Sequence, residues 1–314
     1  MQFQLSVPDL AAERAGNTGT PGVWHFDSGV PGRALMVSAL VHGNELCGAW
    51  ALKDLLELGL RPRRGSLTLA FCNLDAFDRF DPSRHDASRF VDEDLNRVWS
   101  APSLDDPSSR ERRRGAELRP WVARADWLLD LHSMHEPGEP LLLTGLLPRN
   151  IALARQLRAP RHVIVDAGHK DGVRMRDYGR FGDPNAGDSC ALLIECGFHG
   201  DPAARQVARD QVAHMLAASG VVDDMDIPAD WQLPQPDAQR VLEVTDAVVA
   251  PSMDVQFAQP WQGLETLETA GSLIGWAGGE PIVTPYDRCT LIMPSLRQLK
   301  PGVTVVRLAR DYAG

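Results

Sequence analysis

Short continuous apolar runs alternate with segments of helical period across the first two-thirds of the chain. ALMVSALVH (34–42), LTLAFCN (67–73), WLLDLH (127–132) and ALLIEC (191–196) read as buried strands, and HVIVDA (162–167) is a further candidate. Runs that are apolar at every position, rather than at every second one, belong to strands covered on both faces. Between them, NELCGAWALKDLLEL (about 44–58) predicts a helix capped by Asn44 and stopped at Gly59. AARQVARDQVAHMLAAS (about 203–219) sets Val207, Ala208, Val212, Met215 and Leu216 on one face. The segment 108–123 carries the basic run Arg110 to Arg114, which reads as a solvated helix face. The pattern predicts an α/β fold, a mixed and largely parallel sheet flanked by helices.

After residue 222 the texture changes. DDMDIPADWQLPQPDAQ holds three prolines and five aspartates in seventeen residues and reads as a linker. Beyond it, RVLEVTDAVVA, TLIMP and VTVVRLA are short strands separated by Gly/Pro turns. The expected division is therefore a catalytic α/β domain over 1–228 and a smaller, β-rich C-terminal domain over 229–314.

Composition adds exclusions. A chain of 314 residues with 44% hydrophobic and 24% charged positions can bury a sizeable core. Its net charge of −10 argues against nucleic acid or an anionic membrane as partner. No apolar run is long enough to span a bilayer, and the N-terminus lacks the pattern of a signal peptide. Five cysteines without metal-knuckle spacing, most of them inside apolar runs, fit a reducing compartment, so a cytoplasmic location is expected. A homo-oligomer is compatible with all of this.

The candidate chemistry gathers where the predicted strands end. His42-Gly43-Asn44-Glu45 follows the first strand and opens a helix, so His42 and Glu45 can converge on one ion. His132 ends WLLDLH at another strand's C-terminal edge, where open α/β sheets place their ligands. Two histidines and one carboxylate leave a fourth position for water, as a hydrolytic zinc site requires. Asp130, two residues before His132 on the same strand face, can accept a hydrogen bond from a ligating imidazole. Glu195 closes the apolar strand ALLIE on the same edge and is placed to act as general base, with a salt bridge to an arginine as the structural alternative. Arg89 and Asp94-Leu95-Asn96-Arg97 lie in a long polar stretch. There Asn96 and Arg97 suit the grip of a substrate carboxylate, and a second arginine can hold a developing oxyanion.

Taken in order, His42-Gly43-Asn44-Glu45, Arg89 with Asp94-Leu95-Asn96-Arg97, Asp130-Leu131-His132 and Glu195-Cys196-Gly197 resemble the succinylglutamate desuccinylase/aspartoacylase family, relatives of the zinc carboxypeptidases. The resemblance implies one zinc per chain held by His42, Glu45 and His132, with Glu195 as general base and acid. It also implies Arg89 near the scissile carbonyl, Asn96 and Arg97 on a substrate carboxylate, and a β-rich second domain narrowing the entrance. Tyr286 in TPYD is a candidate substrate contact. The expected substrate is a small carboxylate-bearing amide such as an N-acyl amino acid; a metallocarboxypeptidase acting on short peptides is the nearest alternative. The chain departs from the family at Leu40, where glycine is frequent two residues before the first ligand. It departs again at Ser133-Met134-His135-Glu136-Pro137. His135, His169 and His199 are further polar candidates near the site. Two unrelated readings remain open: non-haem iron on the same three ligands, and a lipoyl-type carrier using Lys300.

Overall fold

The computed structural model describes residues 3–168 and 171–314, so His169 lies outside the described residues. The strands and helices run β1 (Val23–Asp27), β2 (Ala34–Ala39), α1 (Leu46–Glu57), β3 (Ser66–Phe71), α2 (Leu74–Phe77), α3 (Ala101–Asp105), α4 (Arg110–Arg124) and β4 (Trp127–Met134). They continue with β5 (Leu141–Leu143), α5 (Pro148–Leu157), β6 (His162–Val165), β7 (Cys190–Phe198) and α6 (Ala203–Ser219). The C-terminal strands are β8 (Arg240–Val249), β9 (Val255–Phe257), β10 (Thr266–Leu267), β11 (Leu273–Ala277), β12 (Glu280–Val283), β13 (Cys289–Ile292) and β14 (Thr304–Asp311).

Among the described residues, eleven of these strands form one sheet in the order β1-β3-β2-β4-β7-β5-β6-β8-β14-β13-β10. The expected strands β2, β3, β4 and β7 pair in parallel at its centre. Strands β9, β11 and β12 form a separate small antiparallel sheet. The mixed α/β architecture expected from the sequence is therefore present.

Alternation along the central strands sorts side chains between two apolar layers. Leu35, Val37 and Ala39 of β2 pack with Leu52 and Leu55 of α1 and with Val212 and Leu216 of α6. Met36, Leu128 and Ala191 face the other way, onto Leu118 and Val122 of α4. On β4 and β7 this second face ends in Asp130, His132 and Glu195. The parallel register sets His132 directly beside Glu195, so both polar groups emerge side by side from apolar strands.

Several boundaries differ from expectation. Helix α1 starts after Glu45, not at Asn44; Asn44 is wholly buried and neither of its side-chain amide atoms has a hydrogen-bond partner among the described residues. Gly59 does follow the helix end, at φ +66°. The proline- and aspartate-rich stretch expected to be a linker is pinned to the core by buried Ile227 and Trp231. The basic run is only partly a solvated face: Arg114 donates to the carbonyls of Pro21, Phe71 and Cys72. The sheet itself continues past residue 228, because β8 pairs in parallel with β6 and then carries β14.

Candidate metal centre and active-site cleft

The turn between β2 and α1 carries the first two candidate ligands, and its backbone is unusual at two points. Leu40 is fully buried at φ +55°. The left-handed region costs a non-glycine residue about 1–2 kcal/mol, comparable with the roughly 1.5–3 kcal/mol that burying a leucine side chain returns. The departure from glycine at this position thus trades backbone strain for core packing. Gly43 needs no special φ. Its constraint is space, because a Cβ there would lie 2.4–2.5 Å from backbone atoms of Ala76, Phe77 and Ser88.

His42, Glu45 and His132 are buried together, with one donor atom from each lying within 4.8 Å of the others. Each imidazole is held from behind by a carboxylate. Asp130 Oδ2 lies 2.8 Å from His132 Nε2, and Asp130 Oδ1 accepts from Ser38 Oγ at 2.7 Å. Asp94 Oδ1 lies 2.9 Å from His42 Nε2, while Asp94 Oδ2 accepts from Arg89 Nη2 at 3.1 Å. With Nε2–H donating to these carboxylates, the Nδ1 atoms turn inward. His42 Nδ1 is 2.9 Å from Glu45 Oε1, and His132 Nδ1 is 2.8 Å from Glu45 Oε2. Glu45 Oε2 nevertheless has no hydrogen-bond partner of good geometry among the described residues. Buried carboxylate oxygens this close to two imidazole nitrogens call for a shared cation, proton or metal, and the two-nitrogen, one-carboxylate donor set suits zinc.

Electrostatics place the same demand: without a metal, a proton on His132 supplies positive charge between the carboxylates. Burial works to raise the Glu45 pKa, yet His42 and His132 together outweigh it and hold the carboxyl well below its usual range. Burial likewise opposes charge on His132, but Asp130 and Glu45 push its pKa well above the ordinary imidazole value. Glu195 shows the opposite sign. Burial, reinforced by the nearby Glu45 charge, lifts it to about 8 against partial opposition from His132 and Arg89. Its Oε2 also has no hydrogen-bond partner among the described residues.

A cleft of about 950 Å³ opens over these groups. Arg89, Asn96 and Arg97 all line it. Asn96 Oδ1 accepts from Met175 N at 3.0 Å, which leaves the amide nitrogen as its donor to a ligand. Arg97 Nη1 donates to its neighbour's carbonyl at 2.9 Å, and its Nε lies 3.5 Å from Asp171 Oδ1. Tyr286 is not on the cleft wall: its hydroxyl sits 2.6 Å from Thr245 Oγ1, and Thr245 is the residue that faces the cleft. His135 lines the cleft, whereas His199 is fully buried behind it.

Three contributions were missed in the sequence. Asp94 orients His42, a role its place in the Asp94–Arg97 run did not disclose. Glu111, in the first turn of α4, accepts from the backbone nitrogens of Val91, Asp92 and Glu93 and from Asn73 Nδ2. It thereby shapes the loop that carries Arg89 to Arg97. Arg174 and Arg307 add two nearly buried cations to the cleft wall, with Arg307 Nε 3.2 Å from Asp166 Oδ2. Arg174 Nε donates to Asp177 Oδ2 at 2.8 Å, and its Nη2 has no hydrogen-bond partner among the described residues.

Residues 31–184 match the catalytic domain of one family of amide-bond deacylases, the succinylglutamate desuccinylase/aspartoacylase family, and the chain belongs to it. Its curated relatives are succinylglutamate desuccinylases. One from Burkholderia cenocepacia is 26% identical over 298 residues, covering 88% of this chain and 81% of that protein. One from Paraburkholderia xenovorans is 32% identical over 115 residues, a segment spanning 32% of this chain and only 31% of that protein. Among solved structures, the fold is similar to a succinylglutamate desuccinylase/aspartoacylase from Rhodobacter sphaeroides, with TM-score 0.65, 19% identity, and coverage of 91% and 87%. It is also similar to a succinylglutamate desuccinylase from Vibrio parahaemolyticus, with TM-score 0.67, 15% identity, and coverage of 93% and 86%.

Proposed function

We propose that this chain is a zinc-dependent deacylase that hydrolyses the amide bond of a small N-acyl amino acid. The observation that carries the reading is the inward-facing group of His42, Glu45 and His132, each imidazole backed by its own carboxylate, with Glu195 directly beside His132 across the ladder. One zinc per chain held by these three residues supplies Lewis acidity and makes water easier to deprotonate. Glu195 takes the proton of the attacking water as its oxygen bonds the acyl carbon. The same carboxyl then delivers that proton to the leaving nitrogen as the C–N bond breaks. Arg89 donates to the carbonyl oxygen as negative charge develops there. Asn96 and Arg97 hold a carboxylate that does not react. Arg174 and Arg307 extend the cationic wall further along the cleft, and residues 229–314 narrow its mouth through β8, β14 and the turn before β14. Five free, buried cysteines suit a reducing compartment, and no helix among the described residues is long and apolar enough to cross a membrane. The reducing compartment we propose is the cytoplasm.

The test is a hydrolysis screen of zinc-loaded protein over N-acyl amino acids of varied acyl group and over dipeptides and tripeptides. Preferential release of an amino acid from an N-acyl substrate is expected. Preference for free peptides would replace this reading with that of a carboxypeptidase, and activity with iron alone would replace the metal.

A further inference from the structure

His135 stands one residue beyond β4 on the cleft wall, and it touches none of the three candidate ligands through a hydrogen bond. Its contacts run in another direction. Nε2 lies 3.3 Å from Arg89 Nη1, Nδ1 lies 3.1 Å from Asp86 Oδ1, and His199 Nε2 lies 3.2 Å from His135 Nδ1. His199 in turn places Nδ1 2.8 Å from Ser133 Oγ, and its ring stands edge-on to that of His135 at 4.7 Å.

Donor and acceptor chemistry allows one consistent assignment of protons along this chain. A guanidinium has only donors, so His135 Nε2 must be the acceptor from Arg89. The His135 proton then sits on Nδ1 and points to Asp86 and His199 Nε2. That makes His199 Nε2 an acceptor and puts the His199 proton on Nδ1, toward Ser133. Burial acts on both rings in the same direction, favouring their neutral forms.

Arg89 has two terminal nitrogens and they are held differently. Asp94 Oδ2 fixes Nη2. Nη1 faces Glu45 Oε1 at 3.6 Å and His135 Nε2 at 3.3 Å. Glu45 is a candidate ligand, and a carboxylate committed to a cation offers a guanidinium less. His135 is then the partner that fixes the second corner of the fork. A carboxylate at this place would also hold Nη1, but it would cancel part of the positive charge that a developing oxyanion requires. A neutral imidazole holds the group and leaves its charge intact.

We propose that His135 is a positioning residue that aims Arg89 at the scissile carbonyl, braced from behind by Asp86 and by His199 on Ser133. The assignment rests on the deacylase reading, in which Arg89 serves the oxyanion. The test combines His135→Ala, His135→Gln, Arg89→Ala and the double variant His135→Ala/Arg89→Ala, each loaded with zinc and assayed on the best substrate of the screen. His135→Ala should keep its zinc and its KM within about twofold while kcat falls roughly 10–100-fold, the scale of one hydrogen bond to a charged group. His135→Gln, whose Oε1 can accept, should recover most of kcat. In the Arg89→Ala background, His135→Ala should cost nothing further. Imidazole ¹⁵N spectra of the zinc-free protein supply a readout apart from activity. They should show His135 protonated at Nδ1 and bare at Nε2, with the Nε2 resonance moving in Arg89→Ala. Equal losses in both backgrounds, equal behaviour of the Ala and Gln variants, or a proton on His135 Nε2 would overturn the inference while leaving the deacylase reading intact. Wild-type kcat in Arg89→Ala would sink the oxyanion role itself, and this inference with it.

Discussion

Replacing Glu195 with glutamine separates two consequences of one carboxyl group. In the zinc-free fold its pKa is lifted from the ordinary 4.5 to about 8, first by burial and then by Glu45. The stability that the neutral carboxyl contributes is fully present below pH 4.5, where it is protonated folded and unfolded. It is lost as pH rises through about 8, where the folded protein must carry a buried charge. A lift of this size corresponds to roughly 5 kcal/mol as a ceiling. The side chain keeps an edge on the cleft, so water there screens part of the cost. Glu195→Gln has the same shape and nothing to ionise. Urea denaturation of zinc-free protein across pH 5–9 should show the variant gaining on wild type as pH rises, with the difference curve centred below 8. With zinc restored, the same variant should keep its metal and lose about 10²–10⁴ in kcat. Parallel stability curves together with undiminished turnover would refute both the burial argument and the general-base assignment.

Other outcomes follow from the same geometry. His42→Ala, Glu45→Ala and His132→Ala should each lose zinc by orders of magnitude in affinity, read by metal analysis after dialysis; full retention in all three would place the ion elsewhere. Arg97→Ala should mainly raise KM for carboxylate-bearing substrates. It should also narrow the discrimination against the matching amides, and unchanged discrimination would assign the carboxylate to another group. Gly43→Ala must displace backbone at Ala76, Phe77 or Ser88, so both the melting temperature and zinc affinity should drop; a variant indistinguishable from wild type would show that the turn has room to move.

What the sequence disclosed, and what it did not, divides along the range of the interactions. Strands β2, β3, β4, β6 and β7 were legible because each is a continuous apolar run. Helix α6 was legible because its period is 3.6 and its end is a glycine at φ +69°. The three candidate ligands could be read because each sits just past an apolar strand or on its last turns, where a polar group has no packing reason to be. Strands β1 and β5 were missed; β5 is three leucines long and carries no period of its own. Glu111 and Arg307 were illegible for a different reason. One acts on backbone some 20 residues away and the other reaches the cleft from the last strand, and neither distance leaves a local pattern. Asn44 misled because asparagine before an apolar run usually caps a helix, whereas here Glu45 takes that position as its side chain turns toward the histidines. Tyr286, named as a candidate substrate contact, sits behind Thr245, which is the residue that lines the cleft.

The unbroken pairing from β7 through β5 and β6 to β8 and β14 has a mechanical consequence. Glu195 on β7, Thr245 on β8 and Arg307 on the adjoining β14 hang from a single hydrogen-bonded sheet. Such a vessel works as a mould and not as a jaw. On the deacylase reading proposed above, such a wall sorts substrates by their bulk at the rim. The turn from Pro294 to Gly302 contributes to that rim from outside the strands, tied to Glu136 through Ser295 and Arg297, so size selection can be tuned there while Asn96 and Arg97 keep the reading of charge.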